Sequence, residues 1–291
     1  KLLWFRTFGM AQFGLPDPLA FMGDADLVGT RWRAAPDCAF GAYVCDRLIA
    51  SNFVAAWGAF GFFVPLTVHP DFWNRGFAQR LLPTSLARLE TSGVEQFGLF
   101  TMADSPKHHA LYGRFGFSLQ APTVVMTKTV EPRPDAAFFT YSSLAATERP
   151  GALVRCRALT AEVFPGLDLS REIVAVDRQA LGDTVLIEGD PLAAFAVVHL
   201  GAGSEAGSGA AFIKFGAARP GDAKALRRLL AAVEATAAQR GLSVLNIGVN
   251  TARHAARQEL LEGGFAPSIT GVAMQRPDRP GFNDAASMVL D

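Results

Sequence analysis

The strongest constraint on this chain is a change of period within residues 60–91. An apolar run, Phe60 to Val68, stops at His69-Pro70, and Phe77 to Thr91 then carries Leu82, Leu86 and Leu89 at helical spacing. Between them lies Trp73-Asn74-Arg75-Gly76-Phe77-Ala78. Gly76 and Ala78 remove side-chain bulk, so main-chain N–H groups can approach an anion that the positive end of the helix favours. A strand feeding an anion-binding helix start is the reading that this order dictates. Pro83 lies beyond the first turn and predicts a kink there.

At 291 residues, half of them apolar, the chain has room for two α/β units with real cores. Its 27 basic and 27 acidic residues cancel, which argues against a nucleic-acid or anionic-membrane footprint. Cys38, Cys45 and Cys156 lack metal-ligand spacing and read as reduced thiols of a cytoplasmic protein, with no metal expected. No secretory leader pattern is visible from Lys1 onward. Leu48 to Val68 carries no charge and is long enough to cross a bilayer. Asn52, Gly58, Gly61 and Pro65, with the Phe, Val and Trp content, instead predict a hairpin turning near Gly58–Gly61.

Residues 1–35 read as mostly helical, with Leu3, Phe5, Phe8 and Met10 apolar. Phe40–Cys45 and Leu48–Trp57 pair across Asp46-Arg47, and Phe60–Val68 is the third strand. Phe97–Thr101 is a short strand, Lys107–Arg114 a helix, and Phe117–Val130 supplies closing strands. Glu131-Pro-Arg-Pro134 breaks the pattern. The scheme then repeats: strands at Thr184–Gly189, Pro191–Leu200 and Ala211–Gly216, a helix to Gln239, a strand at Leu242–Val249 and a helix at Thr251–Glu262. Gly264-Phe265 closes that helix as Gly116-Phe117 closes the earlier one, an echo that suggests duplication of one fold.

Residues 66–78 and Ser105-Pro-Lys-His-His-Ala-Leu-Tyr-Gly-Arg-Phe-Gly-Phe117, at the distance expected for one more strand and helix, together resemble the GNAT superfamily of acetyl-CoA-dependent N-acetyltransferases. The resemblance implies an α/β fold of two tandem GNAT-like domains, each a mixed, mostly antiparallel sheet flanked by helices. The divisions it implies are a catalytic domain over 1–130, a linker over 131–150 and a degenerate, non-catalytic domain over 151–291. The family's Gln/Arg-x-x-Gly-x-Gly/Ala loop maps onto Trp73, Asn74, Arg75, Gly76, Phe77 and Ala78, with Trp73 in place of the leading Gln or Arg. Arg75 and Arg80 are implied contacts for coenzyme A phosphates, Leu66, Thr67 and Val68 for its pantetheine arm, and Ser105 stands where the family often has Asn. A main-chain N–H near Val68 is implied to polarise the thioester carbonyl. Tyr112 stands where many members place the tyrosine that protonates the departing thiolate. His69, Asp71, Asp104, His108 and His109 are ionisable groups near the two motifs, and none is assigned as general base.

The second half departs further. Pro220 in Arg219-Pro-Gly-Asp222 removes an N–H, Asp222 puts negative charge at the helix start, and Leu260 stands four residues before Gly264 where Tyr112 precedes Gly116. Gly201-Ala-Gly-Ser-Glu-Ala-Gly207 mimics a dinucleotide loop but precedes a strand, and reads as a flexible hairpin loop. The implied function is acetyl transfer from acetyl-CoA to a primary amine of a small molecule, in a ternary complex, aminoglycoside-type amines being one class that GNAT folds serve. A non-catalytic acyl-CoA-binding or interaction protein, and a protein or peptide N-acetyltransferase, are the alternatives. Neither acceptor nor oligomeric state is encoded in the motifs.

Overall fold

The computed structural model describes residues 2–17, 21–132 and 138–291. The remainder of the 1–35 helical region, the side chains of Leu3, Phe5 and Phe8, and part of the 131–134 break lie outside the described residues.

Two helices lead: α1 (Leu2–Phe13) and α2 (Leu27–Ala34), the second capped by the Asp26 side chain on the Gly29 N–H. β1 (Ala39–Val44) and β2 (Arg47–Trp57) pair antiparallel. Cys45 and Asp46 between them have φ of 46° and 61°, the left-handed pair that a two-residue hairpin requires.

The third strand departs from expectation. Phe60–Val68 is not continuous but splits into β3 (Phe60–Phe63) and β4 (Thr67–Val68), both on β2. Two residues of β2 separate Ser51 from Val54, whereas three separate Phe63 from Thr67, so this strand carries one extra residue at 64–66. Pro65, with no N–H for the ladder, sits inside the irregularity. Segment 48–68 is thus the expected hairpin, and among the described residues no helix is long and apolar enough to cross a membrane.

Next come α3 (Phe77–Glu90), β5 (Gln96–Met102), α4 (Pro106–Gly113) and β6 (Ser118–Thr129). α3 runs through Pro83, which lies on its exposed side. Buried Asn52 donates to Ser85 (2.9 Å) and ties the helix to β2. The second half follows with β7 (Phe139–Thr140), α5 (Arg149–Val163), α6 (Ser170–Arg178), β8 (Gly182–Ile187), β9 (Ala194–Leu200) and β10 (Ala210–Ala218). It ends with α7 (Ala223–Gln239), β11 (Val244–Asn250), α8 (His254–Glu262), β12 (Ala266–Arg276) and β13 (Val289–Leu290).

All the strands join one sheet, ordered β1-β2-β3-β5-β12-β6-β11-β10-β9-β8-β7, with β4 on β2 and β13 on β10. Among the described residues only β3–β5 and β10–β11 are parallel, so the sheet is mixed and mostly antiparallel. The closing strands expected over 117–130 are one long strand, because the partner that completes each half comes from the other. β12 inserts between β5 and β6, and β6 in turn pairs with β11. The sheet therefore does not divide where the sequence pattern does. Within the 131–150 connection, Phe139–Thr140 already pair with β8.

Helices α3 and α4 bury Leu82, Leu86, Tyr112 and Phe117 over the first half, and α7 and α8 bury Leu226, Leu229, Val233 and Leu260 over the second. A third core under α5 and α6 joins the halves, with Trp57 against Phe215 (ring centroids 5.4 Å) and Phe60 against Phe282 (5.0 Å). The loop 201–207 does connect the antiparallel strands β9 and β10 as a hairpin, but it is packed into this junction rather than flexible. Its buried Glu205 bonds Arg31 of α2 and Lys214 of β10, both at 2.8 Å, and Lys214 also bonds Glu172 at 2.7 Å. Burial alone would raise Glu205; the two cations outweigh it and hold the carboxyl down to about 2.

Candidate acyl-CoA cleft

Parallel pairing between β3 and β5 covers only Phe60–Phe62 against Gln96–Gly98. Beyond it, β4 turns back onto β2 while β5 pairs with β12, so β4 and β5 diverge. The gap opens onto the start of α3 and one face of α4. It forms a cleft of about 360 Å³ whose walls include Leu66, Val68, Trp73, Gly76, His108 and Tyr112.

Two main-chain features point into this gap. The His69 N–H donates to the Ile49 carbonyl of β2 at 2.8 Å, and in an antiparallel ladder the adjacent residue then directs its groups the other way. The Val68 N–H accordingly faces the cleft. At its end, Gly76 starts α3 with φ 77°, a conformation that side-chain-bearing residues rarely adopt, and no side chain caps the helix. The N–H groups of Phe77, Ala78 and Gln79 have no intrahelical partners there, which leaves the positive end of α3 open to an anion. Lys107 and Arg114 stand on the opposite wall and form no ion pair among the described residues.

Trp73 supplies a contact that its sequence position did not announce. Its indole N–H donates to the Val68 carbonyl at 2.8 Å, and the Lys107 ammonium lies 5.3 Å from the ring centroid. The residue thus bridges β4 and α4 across the cleft.

Tyr112 is buried against Phe117 (6.3 Å between ring centroids) and lines the cleft. Burial pushes its phenol well above the ordinary value, so the group stays protonated across neutral pH. His108, one helical turn earlier on the same wall, has its pKa lowered by burial and by the neighbouring Lys107.

Of the residues singled out from sequence, Leu66, Val68, Trp73, Asn74, Gly76, Phe77, Ala78 and Tyr112 line this one cleft. Thr67 does not: it is buried on the β2 side, sharing a 3.0 Å hydrogen bond with Ser51. Arg75 and Arg80 are not among the lining residues, and the Arg75 guanidinium packs on the Phe72 ring at 5.3 Å. Ser105 caps α4 by position only, without a side-chain bond to the helix. His69 and His109 are engaged structurally, the first with Arg47 (3.0 Å) and the second with the Met102 carbonyl (2.9 Å). His108 lines the cleft too, and Phe72, Gln79, Lys107, Ala110, Leu111 and Arg114 complete the lining without having been identified as site residues from sequence. Helical spacing from Tyr112 points to His108, four residues earlier, but not to Lys107 or Leu111.

Residues 18–117 match the model of the acetyltransferase (GNAT) family. Over 99% of this chain and 89% of the other, the fold superposes on a putative acetyltransferase from Pyrococcus horikoshii, with a TM-score of 0.68 at 12% identity. A tandem GNAT protein from the clavulanic acid biosynthesis pathway matches over 94% of this chain and 93% of its own, with a TM-score of 0.56 at 12% identity. A GCN5-related N-acetyltransferase from Sphaerobacter thermophilus matches over 81% and 79%, with a TM-score of 0.52 at 16% identity. No sequence among the curated proteins matches. Residues 18–117 are thus similar to the acetyltransferase (GNAT) family, and the chain as a whole has the tandem GNAT fold.

Proposed function

We propose that the first half binds acetyl-CoA in the cleft between β4 and β5 and transfers its acetyl group to a primary amine of a small molecule. The observation that carries this reading is the convergence of three groups on one cleft: the uncapped start of α3, the Val68 N–H and the Tyr112 phenol. The pantetheine thioester supplies the activated acetyl group. The protein supplies the rest. Gly76 and the first N–H groups of α3 hold the pyrophosphate, with Lys107 and Arg114 adding positive charge from α4. The Val68 N–H donates to the thioester oxygen as negative charge develops there. Tyr112 gives its proton to the leaving sulfur, for which a phenol kept neutral by burial is the required form.

Acceptor attack is direct, within a ternary complex, and no residue is proposed as general base. Aminoglycoside-type amines are one acceptor class to test. The proposed functional division keeps catalysis in residues 1–130 and assigns 151–291 a silent role, in a cytoplasmic protein. A second reading is an acyl-CoA binder without turnover. Calorimetric titration with acetyl-CoA, followed by thiol-release assays over a panel of amines, separates the readings. Binding with turnover supports the enzyme, binding with no turnover on any amine supports the binder, and no binding overturns both.

A further inference from the structure

The second half builds the same divergence of strands, and it is filled. β10 and β11 pair in parallel over Ala210–Ile213 against Val244–Ile247, and past that point β13 lies antiparallel on Gly216 and Ala217 of β10. The other side of the gap is closed by the Asp291 N–H, which donates to the Gly248 carbonyl of β11 at 3.1 Å. The approach is so close that a Cβ on Gly248 would meet the Asp291 carbonyl oxygen at 1.9 Å.

The same segment reaches the loop that corresponds to the phosphate loop of the first half. The N–H groups of Ala218 and Gly221 donate to the carbonyls of Met288 (3.0 Å) and Ala286 (3.1 Å), and Ala255, in the first turn of α8, donates to Ala285 at 3.2 Å. Asp222 caps α7 with its own side chain, on the Ala225 N–H at 2.9 Å. A buried cation fixes the arrangement. Arg253, whose side chain is 2% exposed, holds Asp291 through two nitrogens at 2.7 and 3.1 Å, the Val289 carbonyl at 3.0 Å and Asn283 at 2.8 Å.

We propose that segment 283–291 is a resident peptide ligand of the second half, seated where that half would otherwise open an acyl-CoA cleft, and that this half holds no coenzyme. The identification of the gap as a coenzyme cleft rests on the function proposed above for its counterpart. The segment supplies what a bound pantetheine arm would: main-chain pairing along a diverging strand and apolar cover, from Met288, Val289 and Leu290, all buried. A guanidinium buried with a bidentate carboxylate partner is lost only at large cost, so the occupant is permanent rather than exchangeable.

Amide hydrogen exchange on the full chain tests this directly. Without coenzyme, the amides of Ala218, Gly221 and Asp291 exchange as slowly as those of the β9–β10 ladder, and saturating acetyl-CoA leaves them unchanged. Arg253→Met accelerates these three amides by about tenfold or more while β5 amides keep their rates. Asp291→Asn, which removes only the charge, gives the same pattern in a milder form should Arg253→Met fail to fold. Fast exchange in the unaltered protein, acceleration by acetyl-CoA, or a second mole of acetyl-CoA bound per chain overturns the proposal. A chain that binds no acetyl-CoA at all overturns the proposed function instead, and the exchange of the free chain then decides this inference alone.

Discussion

Helices α3 and α7 follow diverging strands in the same way, yet their N-termini have opposite fates. α3 begins at Gly76 with no side-chain cap and faces a cleft of about 360 Å³. α7 begins at Asp222, whose carboxylate satisfies the Ala225 N–H, and the N–H of Gly221 just before it is taken by the Ala286 carbonyl. Four or so N–H groups at any helix start need partners. One half leaves them open to the cleft and the other satisfies them from its own chain. The same backbone geometry is thus open in one place and closed in the other.

The contrast is sharpest at the residue four positions before the closing glycine. Tyr112→Phe removes a proton donor from the open cleft while leaving its apolar packing on Phe117 in place. Turnover is expected to fall by about 10²-fold or more, the range of general acid catalysis, with acetyl-CoA affinity nearly unchanged. Steady-state kinetics and calorimetry on the same variant check it; full turnover in Tyr112→Phe would remove this residue from the mechanism. At Leu260, its counterpart, the side chain is fully buried in the core under α7 and α8 and has no comparable chemistry to lose.

Gly76→Glu attacks the open helix start in two ways. It places a side chain at φ 77° and a negative charge where the pyrophosphate is proposed to sit. Acetyl-CoA affinity is expected to fall by about 10²-fold or more, on the basis of lost charge-assisted bonds and added repulsion. Retention of the original affinity would put the phosphates elsewhere.

The second half has its own signature in pH. His199 is fully buried, accepts the Glu205 N–H through Nδ1 at 3.1 Å, and has no partner for Nε2 among the described residues. Burial is the main cause that lowers its pKa from 6.5 to about 4. The unfolded chain binds a proton that the folded chain refuses, so this contribution is complete above pH 6.5 and declines as pH falls toward 4. The size is about 3 kcal/mol, from 1.36 kcal/mol per pKa unit. Glu205, held down to about 2, adds a further loss below its ordinary 4.5. Denaturation series from pH 7 to 4 should show His199→Gln losing much of the slope; an unchanged slope would place the acid sensitivity elsewhere.

How much of this was legible in the sequence depends on the range of the interaction. Local signals carried well: the period change at 60–91, the β1–β2 hairpin (its turn at Cys45-Asp46, one residue before the expected Asp46-Arg47) and the helix that places Tyr112 are all set by residues within a few positions. The bulge at 64–66 was hidden because Pro65 sits in an apolar run that looks continuous. The exchange of β6 and β12 could not be read, since the mixed polar and apolar pattern of each strand suits any neighbour and only the sheet says which one it takes. Glu205 looked like part of a solvated loop because its partners, Arg31 and Lys214, lie far from it or on another strand. The covering of the second cleft depends on Arg253 meeting Asp291, a pair that no spacing rule connects.

The smallest expected effect tests the comparison at its root. If α7 is closed by its cap and by segment 283–291 together, Asp222→Ala removes only the first of these. The variant should lose about 1 kcal/mol of stability, the usual worth of an N-cap, and gain no acetyl-CoA binding, because the Ala286 carbonyl still holds the Gly221 N–H and Pro220 still offers none. Thermal unfolding and titration of one sample measure both. A second binding event in Asp222→Ala would show that a single carboxylate, rather than the inserted segment, is what separates the two halves. Loss of stability without binding would mean that the difference between α3 and α7 is distributed over the segment, the loop and the cap, and cannot be reversed at one residue.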